Sequence, residues 1–187
     1  MIKVLKLKDL KKKIISQILL LKNTHWKSNL KSQQKWFKEN IKKNDLHIIL
    51  FKEKIIGYNL LRKRSLNILN LKNKKLKKHN YYYFDTLIVD QKYRNLKYGL
   101  KILDECKKIY KKKEIPLILI CKKRVINFYK KSGWKILDKK IISFKDCNFT
   151  TNVMIYCTQI FFNKVIKNNK LFAYTKKYNN YKQKFLF

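Results

Sequence analysis

Residues 84–99 read Phe84-Asp85-Thr86-Leu87-Ile88-Val89-Asp90-Gln91-Lys92-Tyr93-Arg94-Asn95-Leu96-Lys97-Tyr98-Gly99. The apolar run Leu87-Ile88-Val89 has the composition of a strand. Polar and basic residues follow at once. Leu100, Leu103, Cys106, Ile109 and Tyr110 then recur at spacings of three and four, the signature of a helix face. A strand therefore runs into the N-terminus of a helix, with Arg94, Lys97 and Gly99 at the junction. Free backbone N–H groups and the helix dipole make such a junction an anion site. The chain has three glycines, Gly57, Gly99 and Gly133, so each is expected where the backbone needs it.

Outward from this stretch, composition sets the bounds. A length of 187 residues suits one compact domain, and 45% hydrophobic with 14% aromatic content argues for a folded chain. The formal charge of +37 points toward a nucleic-acid or anionic-membrane partner. Yet only four of the 48 basic residues are arginines (Arg62, Arg64, Arg94, Arg124), and arginine is the usual reader of bases and phosphates. The lysines are spread along the chain, and Asn and Ile are abundant, as in the product of an AT-rich coding sequence. Compositional drift accounts for the charge better than dedicated nucleic-acid recognition does. Cys106, Cys121, Cys147 and Cys157 form no C-x-x-C pair and lie far from the three histidines, which is no metal pattern. Their apolar surroundings suggest buried thiols in a reducing compartment. Lys11-Lys12-Lys13 before an apolar run resembles a secretion signal, but Ser16 and Gln17 break the run and no cleavage site follows. The run is also too short for a membrane span. The expected location is the cytoplasm.

Taken in order, Ile2 to Leu7 alternates as a half-buried strand. A helix capped by Asp9 carries Leu10, Ile14, Ile18 and Leu21 and ends near Asn23, leaving His25-Trp26 in a loop. A second helix spans Ser32 to Ile41, anchored by Trp36 and Phe37. Leu46–Phe51 and Ile55–Leu61 form an antiparallel hairpin. Residues 65–80, crowded with Lys72, Lys74, Lys75, Lys77 and Lys78, read as a mobile, solvated loop. Tyr81 to Val89 is the central strand, and the helix after it runs from about Leu96 to Lys112. Pro116 opens a strand, Leu117–Cys121, apolar throughout and so buried on both faces. A short helix, Arg124 to Ser132, is closed by Gly133. Trp134–Phe144 and Asn152–Phe162 read as a closing antiparallel pair. Residues 163–187, with Phe172, Tyr174, Tyr178, Tyr181, Phe185 and Phe187, form a basic aromatic extension, either an added helix or an arm.

This order resembles the GNAT acyltransferase superfamily. The family's phosphate signature is Arg or Gln, two residues, Gly, one residue, then Gly or Ala. Arg94-Asn95-Leu96-Lys97-Tyr98-Gly99 occupies that place, with Lys97 where the first glycine usually stands. Phe128-Tyr129-Lys130-Lys131-Ser132-Gly133-Trp134 is similar to the family's aromatic-Tyr pair before a Gly-aromatic turn, and Gly57-Tyr58 looks like its third strand. The resemblance covers about residues 1–162. It implies an α/β (α+β) domain with a central mixed, mostly antiparallel sheet of about seven strands flanked by four helices.

What the resemblance implies for chemistry is acetyl transfer from acetyl-CoA directly to a primary amine. The backbone of Asn95, Leu96, Lys97, Tyr98, Gly99 and Leu100, with Arg94, would hold the pyrophosphate. The edge of Leu87, Ile88 and Val89 would pair with the pantetheine arm. Tyr129 matches the family's general acid, the alternative being a packing residue. Asp85 is the candidate base, the alternative being a carboxylate paired with a nearby lysine. No metal is called for. In the acceptor region, Trp26 can stack on a ring and His25 can hydrogen-bond, though either can be structural. His47 alternates with Leu46 and Ile48 and so could face the same cleft. Cys121 is expected as an inert thiol. The acceptor is read as a small amine, first of all an amino sugar or aminoglycoside-like molecule. Two rivals remain: a nucleic-acid- or ribosome-associated protein using the lysine stretch and tail, and an idle family member impaired at Lys97. Monomer or homodimer is left open.

Overall fold

The computed structural model describes residues 1–26, 29–138, 140–144, 152–166 and 169–173. Cys147 and the tail aromatics from Tyr174 onward lie outside them. Among the described residues nine strands form one sheet: β1 (Ile2–Lys6), β2 (Leu46–Phe51), β3 (Ile55–Asn70), β4 (Leu76–Val89), β5 (Leu117–Cys121), β6 (Lys135–Leu137), β7 (Ile142–Phe144), β8 (Asn152–Tyr156) and β9 (Asn169–Ala173). The order is β1-β2-β3-β4-β5-β8-β6, with β9 paired to β3 and β7. Pairing is antiparallel except for β4–β5 and β7–β9. Helices α1 (Lys12–His25) and α2 (Leu30–Asn40) cover one face, and α3 (Tyr98–Lys113) covers the other. The short helix α4 (Ile126–Lys130) follows a 3₁₀ turn after β5.

Alternation along β2 assigns the faces. Ile48 and Leu50 pack under α3 with Ile102, Leu103 and Cys106, whereas Ile49 packs under α1 and α2 with Ile18, Leu21, Phe37 and Tyr58. Burying side chains of this size stabilises the fold by about 1.5–3 kcal/mol each. Gly57 sits beneath α3, where a Cβ would come within 2.9 Å of Ile102 Cδ1. The helix therefore rests on bare backbone there.

Three expectations are corrected. Residues 65–80 are not a loop. β3 and β4 continue as a long hairpin, turning only at residues 71–75, with Leu66↔His79 and Ile68↔Lys77 in register. Leu66 and Ile68 alternate inward onto a third cluster with Ile118, Ile155, Leu171 and Ala173, while the lysines of β4 face solvent. The lysines concealed a period-two pattern carried by β3 alone. Beyond residue 162, Asn169–Ala173 is a strand, pairing Leu66↔Ala173 through Asn70↔Asn169. It shields the outer half of β3, which β2 is too short to reach. Last, the 134–144 segment is two strands on different partners: β6 pairs β8, and β7 pairs β9.

Candidate active site

The site begins with a defect in β4. Leu60 pairs with Thr86 and Leu61 with Phe84, so Asp85 is an extra residue, a β-bulge. The buried Asn59 secures it. Its Nδ2 donates to the Thr86 carbonyl at 2.5 Å, and its Oδ1 accepts from Cys106 Sγ at 3.4 Å. A bulge bends its strand, and β4 parts from β5 at this point. The two pair only at Tyr82↔Leu117 and Tyr83↔Ile118. From Phe84 to Val89 the edge of β4 turned away from β3 has no partner strand among the described residues. Leu87, Ile88 and Val89 lie on this open edge.

Tyr129 of α4 stands in the fork. Its ring meets Phe84 edge-on at 6.0 Å and packs against Phe128 (5.2 Å) and Trp134 (5.8 Å). Burial raises its pKa well above the ordinary tyrosine value, with the nearby Cys121 and Cys106 thiols adding to the rise. The phenol stays protonated, as a proton donor must. Cys121 is a buried free thiol with its pKa raised by burial, unlike a nucleophilic cysteine.

The β4–α3 connection is a tight coil. Asn95 (φ 64°) and Lys97 (φ 59°) are both left-handed, so the chain coils on itself before α3 begins at Tyr98. The Lys97 side chain does not cap this N-terminus, leaving the first N–H groups of α3 without a side-chain cap among the described residues. Lys97 and Leu96 are exposed. Arg94 folds back, its Nε donating to the Val89 carbonyl at 3.4 Å. Gly99 ties the loop to the fork: a Cβ there would lie 3.3 Å from Phe128 Cζ. The two motifs thus meet in space through Phe128.

The opposite wall is a cleft of about 410 Å³ lined by Lys22, Trp26, Ser32, Gln33, Trp36, Asp85 and Thr86. Asp85 joins the fork to this cleft, and its Oδ2 accepts from Arg62 Nη1 at 2.9 Å. The two candidates at 25 and 26 separate. Trp26 lines the cleft, whereas His25 ends α1 beside Arg94, Nδ1 to Nη2 3.4 Å. Burial, and then Arg94 and Arg124, lower the His25 pKa, so a neutral ring accepts from Arg94. His47 is not in the cleft. It is fully buried between Phe37 and Tyr58, with Nδ1 2.9 Å from the Tyr58 hydroxyl. Alternation on β2 turns it inward beneath α2. Sequence reasoning misses Lys22, Ser32, Gln33, Trp36, Arg62 and Thr86. The one signal it offers is Ser32, Gln33 and Trp36 at helical spacing on α2, where Trp36 reads as a core anchor.

A model of the Acetyltransferase (GNAT) family matches residues 15–134, and the chain belongs to that family of acyl-CoA-dependent N-acyltransferases. No curated protein matches the sequence. Among solved structures, the chain is similar to an acyl-CoA N-acyltransferase from Pseudomonas aeruginosa (11% identity, TM-score 0.60). The alignment covers 84% of this chain and 99% of that one. It is also similar to PaiA N-acetyltransferase from Thermoplasma acidophilum in complex with coenzyme A (18%, 0.52, the same 84% and 99%). A third is Arabidopsis thaliana Naa50 bound to the bisubstrate analogue CoA-Ac-MVNAL (18%, 0.53, again 84% and 99%). Among the described residues, no helix is long and apolar enough to cross a membrane.

Proposed function

We propose that the chain moves the acetyl group of acetyl-CoA to the primary amine of a small molecule held between α1, α2 and β4. One observation carries the reading: β4 leaves β5 after Tyr83, and the opened edge leads from the Tyr129 fork to the uncapped start of α3. A peptide-like pantetheine arm can pair with Leu87–Val89 as an added strand. The pyrophosphate then meets the N–H groups of Asn95 to Leu100. The acceptor nitrogen attacks the thioester carbon, the C–S bond breaks, and Tyr129 gives its proton to the departing thiolate. Asp85 takes the ammonium proton, using the carboxylate oxygen that Arg62 leaves open. Trp26 and Trp36 suit the apolar C–H face of an amino sugar ring.

The test is release of coenzyme A thiol over a panel of amines. Proton transfer by a placed side chain is worth about 10²–10⁴ in rate. Tyr129→Phe should therefore lower kcat by about a hundredfold, while the thermal shift produced by acetyl-CoA persists. Unchanged turnover would make Tyr129 a packing residue.

A further inference from the structure

Counting Arg62 behind the wall, the described residues around the acceptor cleft carry more positive than negative charge. Asp85 is its lining carboxylate, and Arg62 already meets that charge at 2.9 Å. Lys22 of α1 is half-buried beside them, its Nζ 4.1 Å from the centre of the Trp36 ring. Among the described residues its ammonium makes no hydrogen bond or ion pair. Burial lowers its pKa, Asp85 pulls it back up and Arg62 lowers it again. Arg62 itself is 5% exposed, lies 5.5 Å from Trp36 and 5.9 Å from Tyr83, and keeps Nε buried without an acceptor among the described residues. Among the described residues two cations stand beside one carboxylate, and of the two it is Lys22 that lines the cleft. A desolvated cation without a counter-charge is costly, and a ligand that brings an anion removes the cost.

We infer that the acceptor is an anionic amine, a small primary amine carrying a phosphate or carboxylate that sits against the Lys22 ammonium. The inference rests on the cleft being the acceptor site, as proposed above. It narrows the amino-sugar reading to an acidic derivative and turns away aminoglycosides and polyamines, whose charge has the same sign as the cleft's surplus. The cleft offers Asp85 to the amine end and Lys22 to the acidic end, which fixes the direction in which the acceptor lies.

Matched probes test it: glucosamine 6-phosphate against glucosamine, L-alanine against L-alaninamide, and spermidine as a polycation. Each is followed twice, by thiol release with acetyl-CoA and by calorimetric titration without it. At least one acidic member should exceed its neutral partner tenfold or more in affinity and in kcat/KM, and the pair that does so distinguishes phosphate from carboxylate. Lys22→Met keeps the aliphatic stem over Trp36 and should bring that ratio close to one, and Lys22→Arg should restore it. If Lys22→Met misfolds, Lys22→Gln carries the same comparison. Preference for glucosamine, alaninamide or spermidine overturns the inference. So does a ratio that survives loss of the Lys22 charge, or the absence of any acid-dependent binding. If an acidic probe binds through Lys22 and no amine releases thiol, the anion site stands and the acetyl-transfer reading falls. Fast turnover with no preference for acid does the reverse.

Discussion

His47 shows how burial alone sets the chemistry of a residue. Its ring accepts or donates one hydrogen bond, to Tyr58 at 2.9 Å, while Nε2 is buried without a partner among the described residues. Burial lowers its pKa from 6.5 to about 4. The native state therefore holds it neutral. Above pH 6.5 both folded and unfolded chains carry it neutral, and its contribution to stability is fully present. As pH falls from 6.5 toward 4, the unfolded chain takes up a proton that the native chain refuses. Stability drops through that window by about 3 kcal/mol, each pH unit counting for about 1.4 kcal/mol. Urea denaturation from about pH 7.5 to about pH 4.5 should show this acid limb, and His47→Asn should flatten it whatever its cost at neutral pH. An unchanged slope would place the acid sensitivity elsewhere. Lys97 is the companion case on the surface. The family pattern has glycine there, and the reason is a φ of 59°, which costs a side-chain-bearing residue about 1–2 kcal/mol. The motif was legible in sequence because it records backbone geometry. The side chain itself is exposed.

Elements joined by local pattern were legible, and elements joined by distant partners were not. The β2–β3 hairpin, α3 and the strand Leu117–Cys121 announce themselves by period and punctuation within a few residues. The outer half of β3 depends on β9, about a hundred residues away, and nothing near Leu66 signals that partner. The same holds for the pin between α2 and β3. Arg64 and Asp45 are wholly buried and bonded at 2.8 Å. Asp45 also accepts from the backbone of Lys42 and Lys63 (both 2.9 Å), and Arg64 Nη2 donates to the Asn40 carbonyl at 3.1 Å. Removing one charge of such a pair strands the other and costs about 3–5 kcal/mol. Asp45→Ala should thus lower the thermal midpoint by about 10 °C, at roughly 2–4 °C per kcal/mol for a chain of this size. Adding Arg64→Met should recover part of that loss, because the stranded guanidinium is gone. A midpoint within about 2 °C of the parent, on the order of 0.5–1 kcal/mol, would show the pin to be dispensable.

At the scale of the whole molecule the question is what a charge of +37 does. The four arginines are informative because all have specific contacts or close charge neighbours. Arg64 is in a buried pair and Arg62 in a part-buried one, Arg94 bonds the end of β4, and Arg124 lies close enough to bias His25. Arginine persists where a planar fork or a fixed charge is needed, and lysine fills the solvated surface. Such a surface attracts polyanions everywhere and nowhere in particular. The exposed lysines of the β3–β4 tip, Lys72, Lys74, Lys75, Lys77 and Lys78, are the strongest candidate for a local nucleic-acid footprint. Each phosphate neutralised on single-stranded RNA adds about 0.7 to the salt slope of log affinity. If the tip were the interface, changing all five lysines to glutamine would reduce the slope by about 3.5. A delocalised charge predicts instead a change below about 1, with thiol-release turnover unaffected because the tip lies at the far end of β4 from Asp85 and Val89. Binding to RNA over about 0.05–0.3 M salt separates the two outcomes, and a slope change of about 3.5 would make the hairpin a second functional surface of this enzyme.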